Sequence, residues 1–120
     1  VFEFNVRFGD PEAQVLLPLL KTPLVELVEA VNEQKLDELA LEYEEGSAVT
    51  VVMAATNYPD SPRKGDVISG LEDLPDETGV TTAVFHAGTT IDNGDVVTSG
   101  GRELAVTALA DSLVSARTAA

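Results

Sequence analysis

Apolar and polar side chains alternate over residues 2–8. Successive side chains of a strand point to opposite faces, so this alternation predicts a half-buried strand. At about 3.3 Å of rise per residue, the Cα atoms of Glu3 and Asn5 are roughly 7 Å apart, so both side-chain oxygens can reach one hard cation. A strand with a merely solvated polar face fits the same alternation. The apolar face comprises Phe2, Phe4, Val6 and Phe8, and the polar face comprises Glu3, Asn5 and Arg7.

Two helix start signals follow this segment. Asp10-Pro11 predicts a helix with Asp10 as its N-cap, and Pro18 is expected to end or kink that helix. Thr22-Pro23 predicts the start of a second, amphipathic helix of about three turns. The apolar positions of this helix recur at helical spacing and comprise Leu24, Leu27, Val28 and Val31.

The sequence changes to β patterns after Gly46. Residues 48–55 are rich in β-branched and small side chains, which predicts a buried strand. Asn93-Gly94 predicts a hairpin turn, and Asp111 is expected to cap a final helix over residues 112–119. Further strands are predicted at residues 66–68, 81–86, 96–99 and 102–108.

The chain carries 21 acidic and seven basic residues, which gives a net charge of -14. This charge disfavours nucleic acid and anionic membranes as partners, because both attract positively charged proteins. The longest apolar run, residues 15–31, contains prolines and charged residues and is not expected to cross a membrane. Abundant Asp and Glu with few lysines are typical of proteins from a salt-loaded cytoplasm. The composition therefore predicts a halophilic source, with an ordinary acidic protein as the alternative.

Several motifs are more specific than the alternation. Glu3-x-Asn5-x-Arg7 resembles the last core strand of the ATP-grasp ligases. The continuation Phe-Gly-Asp-Pro-Glu over residues 8–12 resembles the phosphoribosylamine-glycine ligases of purine synthesis, also called glycinamide ribonucleotide synthetases. The resemblance covers nearly the whole chain, with further matching motifs at residues 58–59, 64–71, 85–89 and 97–102.

The resemblance implies an α+β chain in two parts. Residues 1–35 would form the end of an ATP-grasp domain, and residues 46–120 a small C-terminal β-rich domain, barrel-sandwich-like and incomplete at its end. The chain would then be a piece of a longer enzyme. Because the missing N-terminal part carries the nucleotide-binding groups, the piece alone is expected to be inactive.

The reaction implied by the resemblance joins glycine to 5-phosphoribosylamine in the cytoplasm. ATP is the co-substrate, glycyl phosphate is the intermediate, and glycinamide ribonucleotide, ADP and phosphate are the products. Two other functions stay open on the residues alone. One is that of another ATP-grasp carboxylate-amine ligase, and the other is that of a stand-alone acidic β domain that binds cations or a protein partner.

The resemblance also assigns roles to the first motif. Glu3 and Asn5 are expected to bind Mg²⁺ or Mn²⁺, and Arg7 is expected to stabilise the transferring phosphoryl group or the acyl phosphate. An ion pair of Arg7 with Asp10 or Glu12 is the structural alternative. Asp10 is a candidate substrate contact as well as an N-cap, and Glu12 is expected to hold an amine of glycine or phosphoribosylamine.

A second group of candidates concerns the ribose 5-phosphate. Gly100 and Gly101 can expose backbone N–H groups beside Arg102, which predicts a phosphate-binding loop, although a Gly-Gly pair is also typical of a tight turn. Lys64, next to another basic residue in a proline-containing loop, is the competing phosphate site. His86 lies in a β pattern without a catalytic partner and is expected to be structural.

One segment departs from the family pattern. Where the family usually has Gly-Gly-Tyr-Pro-Gly, residues 56–60 read Thr-Asn-Tyr-Pro-Asp. Asn57 and Asp60 tolerate positive φ better than most residues, so the same turn is still compatible with this sequence.

Overall fold

The computed structural model describes residues 1–2, 4–74 and 77–120. Its helices are α1 (Ala13–Leu19), α2 (Leu24–Asn32) and α3 (Leu113–Ala119), with a short 3-10 helix at Leu36–Glu38. Its strands are β1 (Ser47–Ala54), β2 (Val80–His86), β3 (Thr89–Asp92), β4 (Asp95–Thr98) and β5 (Arg102–Ala110). The predicted α+β class is confirmed, and no described helix has both the length and the apolar character needed to cross a membrane.

The core is an antiparallel sheet in which β5 lies between β1 and β2. Thr107 and Ala108 are adjacent residues of β5, and both are fully buried. Because adjacent side chains of a strand point to opposite faces, β5 is covered on both faces of the sheet. Helices α1 and α3 both contact β1 and β5. The hydroxyl of Thr107 is hydrogen-bonded at 2.8 Å to that of Thr50, which lies opposite it on β1.

A second, two-stranded sheet is the hairpin of β3 and β4. Asn93 and Gly94 connect the strands with φ values of 51° and 97°, as a type I′ turn requires, so the predicted hairpin is confirmed. The strand predicted at residues 66–68 is reduced to an isolated bridge between Val67 and Val97. The bridge fixes the loop after β1 to the hairpin.

Helix α3 begins one residue later than predicted. Ser112 has extended backbone angles, and its Oγ accepts a hydrogen bond from the N–H of Ser115 at 3.1 Å. That is the geometry of an N-cap, so the prediction of Asp111 as the cap is wrong. Asp111 lies one position too early for its side chain to replace this contact.

The front part of the chain, residues 1–35, packs less tightly than the β-rich part, residues 46–120. Helix α2 occurs where it was predicted, but Leu24, Val28 and Val31 of its apolar face are exposed. The radius of gyration is 17.1 Å, whereas a compact chain of this length has about 14 Å. The apolar face of α2 is therefore not part of the core formed by the described residues.

Candidate functional site

The predicted first strand is not present in the described part of residues 1–8. Residues 4–8 lack strand structure, and Phe2, Phe4 and Val6 are exposed. A strand needs a neighbour to pair its backbone N–H and C=O groups, and no described strand borders this segment. The strand prediction is therefore wrong for these residues. Glu3, the first candidate metal ligand, lies outside the described residues.

Arg7 makes a local contact. Its Nη1 donates a hydrogen bond to the carbonyl oxygen of Phe8 at 2.9 Å. Among the ion pairs of the described residues, none joins Arg7 to Asp10 or Glu12, so the structural alternative for Arg7 is not observed. The side chain is exposed at the surface together with that of Asn5.

Asp10 connects the turn of residues 9–12, called the front turn, to the central strand β5. Its Oδ2 accepts a hydrogen bond from Nη2 of Arg102 at 2.9 Å, and its carbonyl oxygen accepts one from Nη1 at 3.1 Å. Its Oδ1 accepts a third hydrogen bond, at 3.1 Å, from Nε2 of Gln14. The N-cap position of α1 is Glu12, and no side chain of the described residues caps this helix. The prediction of Asp10 as N-cap is therefore wrong, because Arg102 and Gln14 engage its carboxylate instead.

A buried carboxylate occupies the predicted phosphate loop. Glu103 is 3% exposed, and its Oε1 accepts a hydrogen bond from the N–H of Gly100 at 3.0 Å. Its Oε2 accepts a weaker one from the N–H of Ser99 at 3.2 Å. Two of the N–H groups that could form an anion-binding nest are thus satisfied within the chain. Sequence reasoning missed Glu103, although an acidic residue within an apolar strand pattern is the signal that could have indicated it.

The glycines of this loop also serve close packing. A Cβ atom added at Gly100 would lie 2.8 Å from the Cα of Gly88, and one added at Gly101 would lie 2.6 Å from the ring of Tyr58. Asn57, next to this tyrosine, has φ 69°, which agrees with the tolerance expected from its residue type. The loop that contains Tyr58 and the loop of residues 99–101, called the Gly100 loop, therefore contact each other directly.

Lys64 lies near the start of the Gly100 loop. The N–H of the next residue, Gly65, donates to the carbonyl oxygen of Thr98 at 2.8 Å. The neighbouring Arg63 pairs with Asp66 at 2.7 Å, whereas Lys64 is exposed and takes part in no ion pair within the described ranges. Both candidate phosphate sites thus flank the end of β4.

A cavity of about 590 Å³ lies between the front turn and the end of β2. Apolar side chains contribute much of its lining, and Asp10, Gln14 and His86 are its polar members. His86 is exposed, and its Nδ1 is hydrogen-bonded at 2.8 Å to Oγ1 of Thr89. This satisfied ring nitrogen agrees with the structural role expected for His86.

The described residues contain no group of three or more His, Cys, Asp or Glu side chains able to hold a metal ion. Asn5 is the candidate ligand that lies among them, and its amide oxygen is accessible in an exposed side chain. A carboxylate and an amide oxygen are hard ligands of the kind that Mg²⁺ prefers. The donor chemistry of Asn5 and Glu3 therefore fits such an ion.

Comparison with known proteins identifies the family. The family model for the C domain of phosphoribosylglycinamide synthetase matches residues 48–120, which include β2 to β5, α3 and all of β1 except Ser47. The chain belongs to this family. The ligase resemblance inferred from the motifs is thereby confirmed.

Relatives match over the whole chain and not only over its β-rich part. The phosphoribosylamine-glycine ligase of Corynebacterium ammoniagenes is 54% identical over 121 residues, which cover 100% of this chain and 27% of that protein. The trifunctional purine biosynthetic protein adenosine-3 of Gallus gallus is 51% identical over 97% of this chain and 11% of that protein. The crystal structure of phosphoribosylamine-glycine ligase from Thermotoga maritima superimposes with a TM-score of 0.71 at 37% identity, covering 99% of this chain and 28% of the other. The chain therefore spans about a quarter of the single-function ligases that it matches.

Proposed function

We propose that this chain is the C-terminal part of a phosphoribosylamine-glycine ligase. The complete enzyme would join glycine to 5-phosphoribosylamine through glycyl phosphate, with ATP as the co-substrate. The observation that carries this proposal is the 54% identity to such a ligase over the full length of the chain. The test is to express the complete gene and to assay ATP-dependent formation of glycinamide ribonucleotide from glycine and phosphoribosylamine. Absence of this product from the folded, complete enzyme would overturn the proposal.

The finer division of the chain forms part of the same proposal. Residues 1–35 would close an ATP-grasp domain, and residues 46–120 would form a separate barrel-sandwich-like domain. The exposed apolar residues of the front part support this division, because they would be buried against the missing part of the enzyme. The piece alone would then be inactive.

Within the complete enzyme, Glu3 and Asn5 would hold Mg²⁺ or Mn²⁺. When bound, the metal neutralises the charge that develops on phosphate oxygens during phosphoryl transfer. Arg7, exposed on the same segment, would donate to the transferring phosphoryl group or to the acyl phosphate. Glu12 would bind an amine of glycine or phosphoribosylamine. Its carboxylate lies against Gly9 at the start of α1.

The ribose 5-phosphate would bind beside the Gly100 loop. Arg102 has five N–H donors, and Asp10 engages two of them. The remaining donors, with the N–H of Gly101, can donate to phosphate oxygens from a side chain that is 39% exposed. Asp10 would act there through Arg102, because its carboxylate and its carbonyl oxygen both accept hydrogen bonds from the guanidinium.

Arg102→Ala in the complete enzyme is expected to raise the KM for phosphoribosylamine much more than the KM for ATP. Loss of a charge-assisted contact to phosphate costs about 2 kcal/mol, which corresponds to a roughly thirtyfold change. Steady-state kinetics with each substrate varied in turn provide the measurement. If Lys64→Ala shows this pattern and Arg102→Ala does not, the phosphate binds at the loop around Lys64 instead.

We also propose that the enzyme works in a cytoplasm of high ionic strength. The 120-residue chain is expected to melt at a higher temperature in molar potassium chloride than in dilute buffer. Raising the ionic strength from about 0.1 M to 1 M shortens the screening length from roughly 10 Å to 3 Å, so repulsion among the 21 acidic residues falls. Thermal melts at several salt concentrations test this expectation. A midpoint that stays constant or falls would contradict the halophilic source.

A further inference from the structure

The contact between Asp10 and Arg102 joins residues that are 92 positions apart in the chain. Of the ion pairs between described residues, it is the one that links the front part to the β-rich part. It consists of two hydrogen bonds, one to the carboxylate of Asp10 and one to its carbonyl oxygen. We call it the Asp10–Arg102 bridge.

On one side, the bridge starts from a rigid part of the fold. Arg102 is the first residue of the central strand β5 and lies opposite Ala54 of β1. Its carbonyl oxygen accepts a hydrogen bond from the N–H of Gly88 at 2.9 Å. The backbone of Arg102 is thus held from two neighbouring segments of the fold.

On the other side, the bridge ends in the turn that leads into α1. The carbonyl oxygen of Gly9 accepts a hydrogen bond from the N–H of Ala13 at 2.9 Å, and that of Glu12 accepts one from Leu16 at 3.0 Å. Gln14, on the first turn of α1, donates to the same carboxylate as Arg102. A shift of Asp10 would therefore move the start of the helix and Glu12 with it.

We propose that Arg102, besides its contact to phosphate, has a positioning role, in which the two donors bound to Asp10 hold the turn of residues 9–12 at the reaction site. This inference rests on the proposed function, because it assigns Glu12 to substrate binding. The arrangement requires arginine, since one planar guanidinium donates in parallel to a carboxylate and a carbonyl oxygen. A lysine ammonium at position 102 carries the charge but cannot reproduce this fork.

The bridge controls geometry more than stability. The side chains of Arg102 and Asp10 are 39% and 57% exposed, and exposed ion pairs contribute little to global stability. A small displacement of a substrate-binding group can nevertheless reduce the rate strongly, by up to about a hundredfold. Variants of the bridge are therefore expected to fold normally while they lose activity.

The test is a double-mutant cycle in the complete enzyme with Arg102→Ala, Asp10→Ala and the double variant. Each single variant is expected to lower kcat by roughly tenfold, and the double variant is expected to be no worse than the poorer single variant, because contacting residues couple. If the losses in kcat multiply instead, the two residues act independently and the inference is overturned. The KM for phosphoribosylamine separates the two roles of Arg102. If Arg102→Ala raises this KM equally in the unmodified enzyme and in the Asp10→Ala variant, the rise is due to the lost phosphate contact and not to the bridge. The kcat of Arg102→Lys is expected to lie close to that of Arg102→Ala, because lysine cannot replace the two parallel hydrogen bonds.

A second measurement does not depend on turnover. Hydrogen exchange of the backbone amides of residues 12–16 is expected to become faster to the same extent in both single variants. Lys21→Ala and Glu44→Gln provide the matched control, because this pair, at 3.1 Å, is similarly exposed but includes no residue of the turn of residues 9–12. Unchanged exchange of residues 12–16 in both bridge variants would overturn the inference even if the complete enzyme proved to catalyse another reaction.

Discussion

In the complete enzyme, Glu3→Gln is expected to raise the Mg²⁺ concentration needed for half-maximal activity by roughly tenfold or more. A tenfold rise corresponds to a loss of about 1.4 kcal/mol in the free energy of Mg²⁺ binding. Replacing a carboxylate by an amide removes the negative charge that a hard divalent cation prefers in its ligands. Asn5→Asp is expected to act in the opposite direction and to lower this concentration. The measurement is a magnesium titration of activity at saturating substrates.

Glu26→Gln provides the control for this titration. Glu26 is an exposed acidic residue on the first turn of α2, so its replacement removes one charge without removing a candidate ligand. The activity of the Glu26→Gln variant is expected to depend on the magnesium concentration in the same way as that of the unmodified enzyme. Equal activity of Glu3→Gln and the unmodified enzyme at limiting magnesium would rule out a ligand role for Glu3.

Sequence patterns predicted the β-rich part well, because its structure depends on local signals that agree with one another. The strand predicted at residues 48–55 occurs as β1, and Asn93-Gly94 forms the turn between β3 and β4. The prediction that this strand is buried is wrong, because β1 lies at the edge of the sheet and the buried central strand is β5. The first prediction rests on β-branched side chains, which favour strands, and the second on a residue pair that accepts the positive φ values of a tight hairpin turn.

The front part was predicted less well, because its patterns indicate which face is apolar but not what covers that face. The alternation over residues 2–8 specifies which faces a strand would have, but it cannot supply the neighbouring strand that pairs its backbone. Helix α2 shows the same limit, because its pattern predicted the helix correctly and yet its apolar face is exposed.

The sequence could supply candidate residues for the site, but not the contacts that these residues make. Asp10 looked like an N-cap because Asp-Pro often begins a helix, whereas an arginine 92 positions away engages its carboxylate. Such a long-range pair leaves no local pattern in a single sequence. The Gly100 loop was similarly predicted as a nest for phosphate, although Glu103 accepts hydrogen bonds from two of its N–H groups.

Gly88→Ala is expected to destabilise the 120-residue chain by about 1–3 kcal/mol, the usual cost of overpacking a well-packed site. The added Cβ would lie 2.7 Å from the carbonyl oxygen of Arg102 and 2.8 Å from the Cα of Gly100. Both are backbone atoms of segments held by hydrogen bonds, so neither can move without disturbing the start of β5 or the loop before it. The measurement is the free energy of unfolding in urea.

Ala87→Val is the matched control for Gly88→Ala, because it adds carbon atoms to the neighbouring residue, whose side chain is exposed. It is expected to change the free energy of unfolding by no more than about 0.5 kcal/mol, as is usual for surface substitutions.

The steric conflict caused by Gly88→Ala would also displace the backbone of Arg102, since the N–H of Gly88 donates to the carbonyl oxygen of Arg102. Gly88→Ala is therefore also expected to lower kcat of the complete enzyme in the direction of Arg102→Ala. Equal unfolding free energies for Gly88→Ala and Ala87→Val would contradict the close approach of Gly88 to Gly100.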